Sequence, residues 1–235
     1  MTILVFDEAD DMLKADGFAD DSLRMMKEIK KQSPDCQMLL FSATFNDRVK
    51  RFATKVLPDA IQVFVPKEDL SLDVIKQYRV DCPTVEDKTN LLRDMVLPNC
   101  ENLGQTIIFV KTRKSAKDLS SELTRDGFTV TCIQGEMEHE DRDRVVREFR
   151  SGATKILIAT DVLARGFDVS QVTLVVNYDI PVERNAPTPA YETYLHRIGR
   201  SGRFGRKGAA FNLTTGGLER KLLDQIETYF KHEIG

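Results

Sequence analysis

A chain of 235 residues has room for one large or two small domains, and 41% hydrophobic with 30% charged residues reads as globular. The net charge of −3 excludes a globally basic nucleic-acid binder. The longest apolar runs are strand-sized, far short of the ~18 residues a membrane span needs, and four scattered cysteines without a Cys-x-x-Cys pair argue for reduced thiols rather than a zinc site.

In chain order, Ile3–Phe6 reads as a buried strand running straight into Asp7, Glu8, Asp10 and Asp11. A helix over 22–32 brings Leu23, Met26 and Ile29 round at turn spacing. Strands follow at 37–41 and 61–65, and the first leads into Ser42 and Thr44. The charged stretch from Pro66 to Lys76 reads as a linker. Beyond it, strands at 77–81, 106–110, 129–133, 155–159, 174–177 and 209–213 alternate with helical patterns at 115–125, 138–150 and 218–230. That alternation predicts an α/β chain with parallel sheets flanked by helices. The expected division is a domain over 1–65, a linker over 66–76 and a domain over 77–235. Three strands are thin for an independent first domain, whereas the second is of ordinary size. No basic-then-apolar leader opens the chain, so an intracellular protein is expected.

Four stretches offer chemistry at the ends of strands, where open α/β sheets bind their ligands. Asp7 can hold Mg²⁺ directly or through water, and Glu8 can orient an attacking water. Taken alone, these carboxylates read equally well as an acidic solvated loop. Ser42 and Thr44 offer hydroxyls to neighbouring loops, or make a simple hydroxyl-capped turn. In the stretch 159–169, Thr160 can meet a phosphate, Gly166 allows close backbone approach and Asp168 can accept from sugar hydroxyls. Between Arg197 and Gly208 lie Arg197, Arg200, Arg203, Arg206 and Lys207 with no acid among them. Arginines three apart can aim two guanidinium groups at one polyphosphate.

The motifs DEAD (7–10), SAT (42–44), ARGFD (164–168) and HRIGRSGR (196–203), in that order, resemble the ATP-dependent DEAD-box RNA helicases over nearly the whole chain. The extra residues between Pro181 and His196 make it similar to the branch that remodels messenger ribonucleoprotein at the nuclear pore. The resemblance implies two RecA-like domains, the first partial and the second complete, with ATP and Mg²⁺ in the cleft. It implies Asp7 and Glu8 as the Mg²⁺ and water-activating pair, the ion held mostly through water. Arg200 and Arg203 match the arginine fingers, and Gly166 and Asp168 match nucleotide contacts. Asp10, Ser42, Thr44, His196 and Arg197 match the network that couples hydrolysis to RNA. Thr112, Arg113, Gly135, Glu136 and Thr160 match RNA-backbone contacts. Implied partners are RNA, a nuclear-pore protein, and an activator carrying inositol hexakisphosphate, with no membrane; the protein is expected as a monomer in cytoplasm and nucleus, at the pore.

The family's phosphate-cradling G-x-x-x-x-G-K-[ST] loop does not occur in the sequence. The sequence therefore reads as the C-terminal part of a longer helicase, inactive as an ATPase on its own. The alternative is an RNA- or protein-binding module with no ATPase function. A strand missing from the first sheet is expected to leave residues 1–66 looser than 77–235.

Overall fold

The computed structural model describes residues 1–13, 17–65, 74–100, 104–135, 137–161, 169, 171–183, 186–202 and 206–235. Residues 1–65 and 66–235 form two compact units.

In the first unit, β1 (Ile3–Phe6) pairs in parallel with β2 (Gln37–Leu40). Helices α1 (Ala9–Met12), α2 (Phe18–Gln32) and α3 (Asp47–Val56) complete it. Phe6, Leu13, Met26, Val49, Phe52 and Val56 form its core, with Phe6 edge-on to Phe52. Asn46 starts α3 by accepting from the backbone N–H groups of Arg48 and Val49, which answers two of the donors that a helix start leaves orphaned. The stretch 61–65, predicted as a strand, pairs with nothing among the described residues. Ile61 and Val63 stand 96% and 85% exposed. β-propensity describes how a side chain fits a paired, half-buried surface; without a neighbouring strand it holds nothing in place.

The second unit is a six-stranded, all-parallel sheet. Its strands are β3 (Ile75–Asp81), β4 (Gln105–Phe109), β5 (Val130–Ile133), β6 (Ile156–Ala159), β7 (Val172–Asn177) and β8 (Gly208–Thr214). Their spatial order is β3-β8-β7-β4-β6-β5. β3 begins at Ile75, so Ile75 and Lys76 belong to the sheet and not to the linker; residues 66–73 of that linker lie outside the described residues. β4 and β6 are buried along their whole length, as expected of strands covered on both faces.

The covering helices are α4 (Val85–Leu91), α5 (Leu97–Cys100), α6 (Arg113–Arg125), α7 (His139–Arg150), α8 (Tyr191–Ile198) and α9 (Gly216–Phe230). A π-helical turn, Leu92–Val96, joins α4 to α5. Strand side chains alternate between faces. Ile108, Ile158 and Val176 pack with Leu92, Leu97, Leu119 and Leu123 on one face. Ile107, Leu157 and Val175 pack with Val145 and Phe149 from α7 on the other. Ala210 extends that second face under Tyr194, Ile198, Leu223 and Ile226 from α8 and α9. No helix among the described residues is long and apolar enough to cross a membrane.

Candidate RNA and nucleotide site

In the first unit, β1 and β2 end in register at Phe6 and Leu40, so the acidic loop and the Ser42–Thr44 loop leave the same edge side by side. The Phe41 N–H donates to Phe6 O at 2.7 Å, and the Ala9 N–H donates to Phe41 O at 3.1 Å. Across this seam, the Asp10 N–H donates to Ser42 Oγ at 3.1 Å and the Thr44 hydroxyl donates to Asp10 Oδ2 at 3.1 Å. Ser42 Oγ donates in turn to Thr44 O at 2.8 Å. Asp10 is 2% exposed, so this carboxylate is an internal brace and not a solvated charge. Asp7 is exposed, and its Oδ1 accepts from the Glu8 N–H at 2.9 Å. Glu8 holds a left-handed backbone, φ 49°, unusual for a non-glycine residue, and its carbonyl starts α1. Among the described residues no group of three or more His, Cys, Asp or Glu side chains converges. Two carboxylates at a strand end suit an ion that keeps most of its waters and takes the rest of its shell from phosphates, as Mg²⁺ does.

In the second unit, register places Ile133, Ala159, Phe109, Asn177 and Asn212 in one row across β5, β6, β4, β7 and β8. Every loop after that row leaves the same edge. Gly135 stands in the turn after β5, exposed. Thr160 directly follows β6 and is 7% exposed. Thr112 caps α6, its hydroxyl accepting from the Ser115 N–H at 3.0 Å, and Arg113 opens the helix on the exposed side. The Lys111 N–H donates to Asp179 Oδ2 at 2.6 Å, which ties the loop after β4 to the loop after β7. Three strand ends thus bring hydroxyl, guanidinium and backbone groups to one rim, a set whose chemistry suits phosphate and sugar and offers no base code.

Arg197 and Arg200 sit at the end of α8 and just beyond it. The Arg197 guanidinium is 1% exposed. Its Nε and Nη2 donate to Asp161 Oδ1 at 2.7 and 2.5 Å, and its Nη1 to Asn177 Oδ1 at 3.1 Å and Asp179 O at 2.7 Å. Burial pulls its affinity for a proton below the ordinary value, and Asp161 opposes that pull. Within this unit the Arg197 guanidinium is enclosed by Asp161, Asn177 and the Asp179 carbonyl. His196 is half-buried, and its carbonyl accepts from Arg200 Nε at 3.0 Å. Glu136, Gly166, Asp168 and Arg203 lie outside the described residues.

A family model for the helicase conserved C-terminal domain matches residues 87–205, and one for DEAD/DEAH box helicases matches 1–52. The chain belongs to the DEAD-box RNA helicases. It is 50% identical over 233 residues to DEAD-box ATP-dependent RNA helicase 38 of Oryza sativa subsp. japonica, covering 99% of this chain and 46% of that relative. The chain thus spans about half the length of this DEAD-box relative. S. cerevisiae Dbp5 bound to RNA and ADP BeF3 superposes with a TM-score of 0.87 at 40% identity, covering 98% of this chain and 57% of that one. A Dbp5 variant from S. cerevisiae bound to Nup159, a Gle1 variant, IP6 and ADP gives 0.71 at 37% identity, over 99% of this chain and 58% of that one. The RecA-like parallel fold expected of this DEAD-box chain is the fold observed.

Sequence reasoning missed Asp161, Asn177, Asp179, Lys88 and Asn212. Lys88 is 1% exposed, and its Nζ donates to Tyr178 O and Glu219 Oε2, both at 2.8 Å. It anchors the loop after β7 to the start of α9. The available signal was the run Asn177-Tyr178-Asp179, polar residues closing a strand otherwise buried on both faces.

Proposed function

We propose that this chain is the C-terminal portion of an ATP-driven RNA helicase, whose second unit grips the sugar–phosphate backbone of single-stranded RNA. The observation that carries this reading is the registered row of strand ends, which brings Gly135, Thr160, Thr112 and Arg113 to one rim. In the whole enzyme, ATP binding closes the domains on RNA, and closure strips a short duplex or a bound protein. As the family resemblance assigns them, Asp7 and Glu8 would hold the hydrated Mg²⁺ and orient the attacking water, and Arg200 and Arg203 would meet the polyphosphate. Mg²⁺, when bound, neutralises charge on the phosphate oxygens. Asp10, Ser42 and Thr44 lock the acidic loop to its neighbour, so a shift in one loop reaches the other.

The likeness to Dbp5 supports a place in mRNA export at the nuclear pore, shared between cytoplasm and nucleus, with a nuclear-pore protein and an activator carrying inositol hexakisphosphate as partners. Taken by itself the chain acts as a monomeric RNA-binding module. The observation favouring this narrower reading is that the sequence contains no G-x-x-x-x-G-K-[ST] loop to cradle the β- and γ-phosphates.

Fluorescence anisotropy with single-stranded RNAs of several sequences tests the grip. Replacing Thr112 and Arg113 together by Ala is expected to weaken binding about tenfold, equally for every sequence, and to flatten its salt dependence. Loss confined to one RNA sequence, or no loss, overturns the assignment. Phosphate release by the chain with ATP, Mg²⁺ and RNA is expected at background; turnover at helicase rates overturns the narrower reading.

A further inference from the structure

A fully buried amide pair joins β7 to β8. Asn177 and Asn212 are each 0% exposed and stand opposite one another in register. Asn212 Nδ2 donates to the backbone carbonyl of Tyr78 on β3 at 3.1 Å. That bond turns Asn212 Oδ1 toward β7, where it accepts from Asn177 Nδ2 at 2.8 Å. Asn177 Oδ1 is thereby left facing α8, and it accepts from Arg197 Nη1 at 3.1 Å. The far side of the same guanidinium grips Asp161, whose side chain is 48% exposed, and its plane lies over the Phe109 ring, 5.0 Å from the centroid. Asp161 directly follows Thr160.

Two apolar side chains would fill this place at no desolvation cost, whereas buried amides must find partners on both ends. Stability alone does not explain them; direction does. An amide has a donor end and an acceptor end, so fixing one end fixes what the other presents.

We propose that Asn212 and Asn177 are positioning residues: a one-way hydrogen-bond relay from the β3 backbone that sets the Arg197 guanidinium, and through it Asp161 and the loop carrying Thr160. The use of that loop for RNA rests on the function proposed above; the relay itself does not.

The test uses the full chain in solution. The Nε–H proton of Arg197 is identified by NMR from its disappearance in Arg197→Lys, and its exchange with solvent is then followed in variants. Asn212→Leu is expected to speed that exchange about tenfold, shift the Thr160 and Asp161 amides, and weaken single-stranded RNA binding several-fold. Gln105→Leu serves as the control. It removes an equally buried amide, bonded to the Phe149 and Thr154 carbonyls at the other end of β4, and is expected to lower stability without changing Arg197 exchange. Should Asn212→Leu fail to fold, Asn177→Asp and Asn177→Leu replace it. The first keeps an oxygen for Arg197 and is expected to keep exchange slow; the second is expected to release it. Unchanged Arg197 exchange in folded Asn212→Leu, or equal exchange in the two Asn177 variants, overturns the relay. A wild-type chain that binds no RNA sinks the functional reading and leaves the relay to be judged on exchange.

Discussion

Single side chains in this protein are set by their burial more than by their formal type. Lys88 and Arg197 are cations with almost no contact with water, and each is held by a backbone carbonyl and a carboxylate. Asp81 shows the reverse case, a carboxylate at the end of β3 with half of its side chain in solvent. The Thr214 hydroxyl, donating to it, holds its titration below the ordinary 3.8; partial burial works against this, and the Arg220 guanidinium at 2.9 Å adds to it. A depressed carboxylate stabilises the fold fully above its unfolded value and loses that contribution as pH falls through the folded one. The stability gap between the wild-type chain and Asp81→Asn is therefore expected to be constant from pH 7 to about 5 and to close below 3.8. Urea-denaturation midpoints across that range check it; a gap that widens in acid refutes the assignment. The surface charges of such motifs were legible in sequence, but their burial was not, because it depends on strands far apart in the chain. Asn177 and Asn212 are 35 residues apart and meet only when β8 docks beside β7.

At the level of elements, local chemistry and partner availability decide together. Thr84 and Asp87 form a reciprocal capping box at the start of α4, the Asp87 N–H donating to Thr84 Oγ1 at 3.1 Å and the Thr84 N–H to Asp87 Oδ2 at 2.9 Å. This helix carries Lys88 into the interior, so its start is fixed where the buried cation needs it. Thr84→Ala is expected to lower stability by about 1 kcal/mol, read from the denaturation midpoint. A loss below a few tenths would show that tertiary contacts alone set the helix start. The strands of the second unit were legible because continuous apolar runs bounded by polar residues admit little else. The stretch 61–65 has the same composition and fails as a strand, since a run can state a preference but cannot provide its own neighbour. In the segment between Pro181 and His196, visible in sequence only as added length, residues 182–183 meet residues 188–189. Val182 bridges Pro189, and the Glu183 N–H donates to Thr188 O at 2.9 Å.

For the whole molecule, the two units differ in how much structure supports each backbone hydrogen bond. Among the described residues the second has six strands, of which β4 and β6 are buried along their whole length. Among the described residues the first has two strands, and Ile3, Val5 and Phe41 remain about half exposed. Local opening follows such differences. Amide hydrogen exchange is expected to show β4, β6 and β7 protected at least about a hundredfold longer than β1 and β2, a gap of some 3 kcal/mol. Equal protection of both units would overturn this. The order of elements and the parallel arrangement of the second unit were readable from the alternation of patterns. The expectation that the first is the looser unit rests on how few strands its length can supply.

The left-handed backbone at Glu8 restricts what chemistry could ever replace it. A branched β-carbon is crowded at φ 49°, so Val, Ile or Thr there would have to unwind the first turn of α1 or the seam to Phe41. Asparagine and aspartate tolerate that conformation best among side chains with an oxygen to offer. A library randomised at this one position should therefore sort its folded members by backbone tolerance before any difference in acidity is felt.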